Sequence, residues 1–171
     1  GKTTEQGTLL DIKAGWDWLV KEKQASPNSI ILFGRSLGGS IAAIVAVDVN
    51  PAAVMIESSF TSFVGVGKHY YPFLPIRLFA RFDYNTIAAV KKLKCPVFVI
   101  HSPDDEIIPY EFGKQIYAAA NEPKLFLNLR GTHNEGFYDN MEQYRQIWQD
   151  CIDYLEVSNQ SHNDGLDPAV P

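Results

Sequence analysis

Three groups of polar residues in this sequence have the types needed for nucleophilic catalysis, and each follows a predicted strand. The first is Gly34-Arg35-Ser36-Leu37-Gly38, which contains the pattern Gly-x-Ser-x-Gly. The second is the acidic cluster Asp104-Asp105-Glu106, and the third is His133. A serine hydroxyl is unreactive at neutral pH until a base accepts its proton, and that base needs an acidic partner to hold its tautomer. Together the three groups predict a serine nucleophile with a base and an acid.

The Gly-x-Ser-x-Gly pattern lies where a predicted buried strand ends and an apolar helix begins, which is the context of a nucleophilic serine on a sharp turn. The residues two before and two after such a serine come close together, so we expect Gly34 and Gly38 to be needed because they lack a Cβ. The turn would raise the Ser36 hydroxyl above the sheet and direct the Leu37 N–H toward a developing oxyanion. The alternative is that Ser36 only caps the following helix.

Short apolar runs alternate with helical periodicity along the chain. We predict strands over residues 29–33, 52–56, 96–100 and 124–129, and helices over residues 9–20, 37–49, 110–120 and 141–156. This alternation indicates an α/β fold with a mostly parallel sheet flanked by helices, of which about four strands lie in this chain. The carboxyl ends of parallel strands meet at one edge of a sheet, so Ser36, the acidic cluster and His133 are expected to meet there.

Two segments interrupt the alternation. Residues 60–94 are too long for a simple crossover and are rich in aromatic residues, so we interpret them as a helical excursion docked on the core or as a cap over a pocket. Residues 158–171 are polar, contain proline and lack periodicity, which predicts a flexible tail. The part of the domain that lies in this chain is therefore predicted to occupy residues 1–157.

Three stretches of the chain resemble the α/β-hydrolase superfamily, especially its small lipases, acyl-protein thioesterase-like enzymes and serine-aminopeptidase-like proteins. They are Phe33-Gly34-Arg35-Ser36-Leu37-Gly38-Gly39, His101-Ser102-Pro103-Asp104-Asp105-Glu106 and Gly131-Thr132-His133-Asn134. The resemblance covers residues 1–155 and implies Ser36 as nucleophile, Asp105 as acid and His133 as base. This chemistry needs no metal or organic cofactor. Arg35 receives no role, because its position varies widely in the superfamily.

Four carboxylates compete for the role of acid. In the α/β-hydrolase pattern four residues separate the strand end from the acid, which selects Asp105 over Asp104 and Glu106. Glu57 ends the second predicted strand, where the wider fold has an alternative acid position. A glutamate there more often caps a helix or forms an ion pair.

Four histidines compete for the role of base, and only His133 follows the last predicted strand. His101 directly follows a strand, so we expect it to structure the acid turn. His69 lies in the aromatic excursion and His162 in the predicted tail. We therefore predict His133 as the base.

The composition restricts the partners of this chain. Its 171 residues carry a net charge of −5 and no basic stripe, which argues against nucleic acid and weakly against an anionic membrane surface. No apolar run approaches the roughly 20 residues of a membrane span. Cys95 and Cys151 are interpreted as two thiols rather than a disulfide. The expected partner is a small-molecule or acylated substrate.

The chain begins with Gly1 and not with Met, and its first seven residues resemble the loop after the fourth strand of an α/β-hydrolase. We therefore expect a longer natural protein, with strands and a second oxyanion donor upstream. Membrane contact is expected only through such an upstream segment, and the compartment stays open. Without those upstream strands, the strand at 29–33 would lie at a lateral edge of the sheet. Without the second oxyanion donor, the activity of this chain alone stays open.

The predicted function is hydrolysis of a carboxylic ester or thioester through an acyl-enzyme on Ser36. The aromatic segment 60–82 is the expected wall of an acyl pocket, which favours these substrates over peptides. One alternative is a catalytically inactive interaction module that keeps the fold, or an inactive fragment. Another is a dinucleotide-binding Rossmann-like domain, because residues 34–39 approach Gly-x-Gly-x-x-Gly and Glu57 has the spacing of a ribose-binding acid. Ser36 disfavours it, since the middle position must let the backbone approach a pyrophosphate.

Overall fold

The computed structural model describes residues 3–163, without the side chains of residues 137, 139 and 158–163. The strands are β1 (Ile31–Arg35), β2 (Ala53–Glu57), β3 (Val97–His101) and β4 (Lys124–Asn128). The α-helices are α1 (Glu5–Asp17), α2 (Leu37–Val49), α3 (Phe63–Tyr70), α4 (Ile76–Phe79), α5 (Thr86–Val90), α6 (Tyr110–Ala119), α7 (Gly136–Asp139) and α8 (Met141–Asn163).

The four strands form one parallel sheet in the order β1-β2-β3-β4. This confirms the predicted α/β class, and the strand bounds differ from the predicted ones by at most two residues. In the dinucleotide-binding fold the fourth strand lies beside the first. Here β4 pairs with β3 instead. The strand order therefore gives no support to the Rossmann-like alternative.

Both faces of the sheet are covered by helices. Alternate residues of a strand point to opposite faces, so Val54 and Val97 pack in a core cluster with residues of α2, α5 and α6. Met55 and Phe98 pack in a second cluster with residues of α8. All residues of β2 and β3 are buried. Burial on both faces explains why the sequences of these central strands are nearly continuous apolar runs.

The first strand and the first and last helices of the chain show where the predictions held and where the bounds differed. β1 lies at one edge of the sheet, as predicted for this chain, and Phe33 in it is 41% exposed. α1 begins earlier than predicted, at Glu5, because Thr4 caps it by accepting the Gly7 N–H. α8 continues to Asn163, so the backbone at the start of the predicted tail is helical. Residues 164–171 lie outside the described part of the chain.

The excursion at residues 60–94 folds into α3, α4 and α5. α5 packs against α2 in the core. α3 contacts the short helix α4, where a Cβ added to Gly67 would lie 2.7 Å from Ile76 Cγ2. No helix within residues 3–163 is both long and apolar enough to cross a bilayer.

Candidate active site

Ser36 lies on the sharp turn between β1 and α2, with a φ of 53° and a ψ of −122°. A positive φ is unfavourable for a residue that has a Cβ, so the surrounding structure must hold it. The Ser36 N–H donates to the Glu57 carbonyl at 2.9 Å. The Ser36 carbonyl accepts a hydrogen bond from Ser59 Oγ at 2.7 Å. Both backbone groups of Ser36 are thus held by residues at the end of β2.

Close packing explains two of the glycines around this turn. A Cβ on Gly34 would lie 2.0 Å from the carbonyl oxygen of Gly38, and a Cβ on Gly39 would lie 2.8 Å from Ser59 Cβ. The predicted close approach of the residues flanking Ser36 is therefore confirmed. The prediction that Gly38 itself must lack a Cβ was wrong, since an added Cβ would meet nothing within 4 Å apart from its chain neighbours and the backbone of its own helix.

The Ser36 side chain does not cap α2. Its position is that of an N-cap residue, but it makes no capping hydrogen bond to the helix. The alternative role predicted from the serine–helix junction therefore has no support in the hydrogen bonding. Leu37 is the first residue of α2, where backbone N–H groups have no acceptor within the helix. A helix N-terminus also favours negative charge.

Asp105 and His133, which lie far apart in the chain, are in direct contact. His133 Nδ1 lies 2.8 Å from Asp105 Oδ2, and both residues are buried. The other carboxylate oxygen, Oδ1, accepts the N–H groups of Ile107 at 3.0 Å and Ile108 at 2.7 Å. Asp104 is exposed and has no part in this arrangement. Of the three clustered acids, the structure brings Asp105 to the imidazole.

Hydrogen bonding keeps Asp105 ionised. Burial by itself disfavours the charged carboxylate, but hydrogen bonds from His101, the Ile108 N–H, His133 and the Ile107 N–H outweigh it. Together they hold the pKa of Asp105 well below its usual range. An ionised carboxylate at this position can accept the His133 Nδ1–H and stabilise an imidazolium.

His101 supports the acid turn from inside the protein. The residue is fully buried, and its Nε2 lies 2.9 Å from the Ile108 carbonyl oxygen and 3.4 Å from Asp105 Oδ2. This confirms the expectation that His101 structures the turn. Its Nδ1 has no hydrogen-bond partner among the described residues. Gly113 of α6 packs against this side of the ring, where a Cβ would lie 2.5 Å from Nδ1.

Arg35, to which we assigned no role, connects the Ser36 turn with the loop that carries His133. Its Nε lies 3.4 Å from Glu57 Oε1, and its Nη2 donates to the backbone carbonyl of His133. Glu57 is 2% exposed and accepts a hydrogen bond from the Tyr144 hydroxyl at 2.7 Å. Burial raises the pKa of Glu57, and the contacts with Tyr144 and Arg35 partly offset this effect. Glu57 is thus a buried, hydrogen-bonded carboxylate, and His133 is bonded to Asp105 instead.

Glu106 binds the backbone of His133 and not its ring. Its Oε2 accepts the His133 N–H at 2.9 Å. Since Arg35 binds the carbonyl of the same residue, both backbone groups of His133 are held. The only sequence signal for this role of Glu106 was its place beside Asp105.

The two remaining histidines differ in position from His133. The His69 ring packs on the rings of Tyr70 and Phe112, with centroids 5.0 and 5.6 Å away. The side chain of His162 lies outside the described part of the structure. Neither residue contributes a described contact to the Asp105–His133 pair.

Cys95 and Cys151 are buried free thiols, which confirms their interpretation. Burial raises the pKa of Cys95 to about 11 and, together with Asp150, that of Cys151 to about 12. Within residues 3–163, no group of three or more His, Cys, Asp or Glu side chains is placed to hold a metal ion.

Curated proteins of a bacterium and a plant are among those similar to this chain. An uncharacterized protein of Mycobacterium tuberculosis, Rv2307c, is 37% identical over 136 residues, which cover 79% of this chain and 48% of that protein. The alpha/beta hydrolase domain-containing protein WAV2 of Arabidopsis thaliana is 28% identical over an alignment of 176 positions, gaps included, which covers 91% of this chain and 56% of that protein. The chain spans about half the length of the curated relatives it matches.

A solved structure and a family model complete the comparison. The esterase domain of a Rhodothermus marinus protein has a TM-score of 0.58 at 24% identity, over 77% of this chain and 63% of that one. This likeness supports the fold alone. The model of the prolyl oligopeptidase family matches residues 2–156, almost the whole described chain. With its parallel sheet and flanking helices, the chain belongs to the prolyl oligopeptidase family of α/β-hydrolase enzymes.

Proposed function

We propose that the protein hydrolyses a carboxylic ester or thioester through an acyl-enzyme formed on Ser36. The observation that carries the proposal is the 2.8 Å contact between His133 Nδ1 and Asp105 Oδ2. This pair lies at the carboxyl ends of the strands, where β1 also ends in the Ser36 turn. Arg35, the residue before Ser36, bonds to the His133 carbonyl, so the turn and the histidine loop are neighbours.

The proposed reaction has two steps. His133 accepts the Ser36 proton while Ser36 Oγ attacks the carbonyl carbon, and the Leu37 N–H helps to hold the resulting oxyanion. When the tetrahedral intermediate collapses, the C–O or C–S bond breaks and His133 gives the proton to the leaving alcohol or thiol. Water then loses a proton to His133 and attacks the acyl-enzyme, which releases the acid and restores Ser36. Ionised Asp105 stabilises the imidazolium in both steps.

An apolar groove between α3 and α4 favours an acyl substrate. Its volume is about 350 Å³, and its lining residues are Phe63, Val66, Gly67, Tyr70, Tyr71, Ile76, Phe79 and Ala80. Phe63 packs on Phe60 with a ring-centroid distance of 5.9 Å. Phe60 follows Ser59, whose hydroxyl binds the Ser36 carbonyl. The groove is therefore connected to the backbone of the nucleophile through Phe60 and Ser59, and it offers an apolar acyl group a place to bind.

Covalent labelling with a fluorophosphonate tests the nucleophile. We expect the protein expressed from its complete reading frame to be modified at Ser36, and Ser36→Ala and His133→Ala to abolish the modification. Asp105→Asn should lower kcat by about 10⁴-fold, as loss of a triad acid does elsewhere. The matched control is Asp104→Asn, which removes an exposed neighbouring carboxylate and should leave kcat unchanged. A folded protein that is not labelled would favour the inactive module.

A panel of p-nitrophenyl esters and aminoacyl p-nitroanilides tests the substrate class. We expect kcat/KM to rise with acyl length from acetate to octanoate, because the groove offers apolar contact for each added methylene. Phe79→Ser at the groove should remove most of this rise and leave the rate with acetate nearly unchanged. Faster cleavage of the anilides than of all esters would contradict the proposed substrate class and favour a peptidase.

A further inference from the structure

The turn between α3 and α4 and the helix α4 carry a large exposed apolar surface. Six side chains within ten residues of chain are between 48% and 97% exposed: Tyr70, Tyr71, Phe73, Leu74, Leu78 and Phe79. We call these residues the apolar patch. Soluble proteins rarely expose so many neighbouring large apolar side chains, and such a surface marks an interaction site.

The chain around the apolar patch is positively charged, although the protein as a whole is acidic. The net charge is −5, yet no Asp or Glu occurs between Glu57 and Asp83. Lys68, Arg77 and Arg81 lie in this interval. None of them belongs to an ion pair among the described residues. An apolar surface beside cations that form no ion pair among the described residues complements an anionic surface.

The same three cations line one cavity of about 470 Å³, beside the apolar patch. Ser62 and Asn85 add polar groups to the lining. The cavity also has two carboxylates, which are engaged by other groups. Glu5 accepts the N–H groups of Asp83 and Tyr84, and Asp83 accepts a hydrogen bond from the Asn85 amide. The cavity is large enough for a phosphate group to contact the cations.

Contacts connect the apolar patch to the candidate active site. The Tyr70 hydroxyl donates to the Ile107 carbonyl at 2.5 Å, and the Ile107 N–H donates to Asp105 Oδ1 at 3.0 Å. The neighbouring His69 ring packs on Phe112 of α6. The patch therefore adjoins the acid loop at the carboxyl edge of the sheet. A surface bound to the patch would lie beside the acid loop.

We propose that the apolar patch and the three cations form a docking surface for an anionic phospholipid bilayer. Phe73, Leu78 and Phe79 insert among the acyl chains, and the tyrosines lie at the headgroup level, where amphipathic aromatic rings are favoured. Lys68, Arg77 and Arg81 contact lipid phosphates. This goes beyond the proposed hydrolysis and does not require turnover, although Tyr70, Tyr71 and Phe79 also line the proposed acyl groove. It also places membrane contact within this chain, whereas the sequence led us to expect it only upstream.

Vesicle co-sedimentation tests the docking surface. The protein is expressed from its complete reading frame as the Ser36→Ala variant, so that lipid hydrolysis does not alter the vesicles. We expect at least about 10-fold tighter binding to vesicles of phosphatidylcholine mixed with phosphatidylglycerol than to phosphatidylcholine alone. This preference should decrease as the salt concentration rises, because salt screens the cations.

Matched variants separate the apolar and the charged contributions. Phe73→Ser/Leu78→Ser/Phe79→Ser should abolish vesicle binding, while Leu10→Ser/Ile12→Ser, on the exposed side of α1, should not change it. Arg77→Gln/Arg81→Gln should remove the preference for anionic vesicles. The charge control is Lys91→Gln/Lys92→Gln, which removes two exposed cations elsewhere and should keep the preference.

Four results would overturn the proposal. The first two are equal binding to neutral and anionic vesicles and unchanged binding by the apolar variant. The third is a parent protein that self-associates but does not bind vesicles, and an apolar variant that no longer self-associates. That result assigns the patch to a contact with a second copy of the protein. The fourth is a large fall in the Tm of the apolar variant, together with a parent protein that does not bind vesicles. That result assigns the patch to a contact inside the complete protein.

Discussion

Arg35 and Glu57 form an ion pair between adjacent strands, with 3.4 Å between Arg35 Nε and Glu57 Oε1. The two residues are directly opposite each other in the register of β1 and β2. Because the same guanidinium also binds the His133 carbonyl, it holds the histidine loop relative to the strand that ends at Ser36. We therefore regard Arg35 as a positioning residue.

Replacing Arg35 should affect turnover more than substrate binding. Arg35→Ala removes the donor to the His133 carbonyl and leaves Glu57 with only Tyr144, so we expect kcat to fall about 10-fold at a nearly constant KM. The free energy of unfolding should decrease by about 2 kcal/mol, the range for losing a charged hydrogen bond. Ester hydrolysis and urea unfolding measure the two effects.

A double variant separates the two roles of Arg35. In Arg35→Ala/Glu57→Gln the buried group is neutral, so we expect stability to recover while kcat stays low. If kcat recovers with stability, the guanidinium acts only through the fold, and the positioning role is wrong.

Adding one methyl group to α6 should disturb the acid turn. The Cβ of Gly113→Ala would lie 2.5 Å from His101 Nδ1 and 2.9 Å from His101 Cβ. Since His101 Nε2 contacts both Ile108 and Asp105, we expect a loss of about 1–3 kcal/mol from overpacking and a lower kcat. Thermal unfolding and ester hydrolysis provide the measurements.

Gly15→Ala in α1 is the matched control for this substitution. Apart from its chain neighbours and the backbone of its own helix, nothing lies within 4 Å of the added Cβ there. Alanine is a better helix former than glycine, so this variant should gain up to about 1 kcal/mol. Equal stabilisation by both substitutions would contradict the tight packing around His101.

The ionised form of Asp105 should stabilise the protein in a pH-dependent way. The pKa of Asp105 is lowered in the folded state, so the carboxylate stabilises the fold above the ordinary Asp pKa of about 3.9. That contribution is lost as the pH falls from this value toward the lowered one. In urea unfolding, the stability difference between wild type and Asp105→Asn should therefore be largest at neutral pH and shrink below about pH 4.

Asp104→Asn is the control for the pH dependence. This neighbouring carboxylate is exposed, and its replacement should change stability little at either end of the pH range. A difference between wild type and Asp105→Asn that is constant from neutral pH to pH 3 would contradict the role of the hydrogen bonds around Asp105.

The two cysteines should be inert in the folded protein. Burial raises their pKa values to about 11 and about 12, and a thiol reacts as its thiolate. At pH 8 we expect Ellman's reagent to modify neither thiol until guanidinium unfolds the chain, after which both should react. Rapid reaction of the native protein would contradict the burial of at least one of them.

Much of the fold could be predicted because it depends on local properties of the chain. The range of α2 was predicted exactly as found, since its apolar residues follow a glycine-rich turn and stop before Asn50 and Pro51. The spacing after β3 selected Asp105 with the help of the family resemblance. The ends of α1 and α8 were less accurate, because helix ends depend on single capping contacts and on packing.

The sequence by itself determined the order of strands and helices, and with parallel pairing it determined that Ser36, Asp105 and His133 lie at one sheet edge. Only the tertiary structure decided which residues hold them in place. Arg35 and Glu106 bind the backbone of His133, and His101 contacts Asp105 from inside the protein. It also decided that Gly39, and not Gly38, needs to lack a Cβ, and that the apolar patch stays exposed. Periodicity and turn chemistry are local, whereas these contacts join residues distant in the chain, and packing alone selects them.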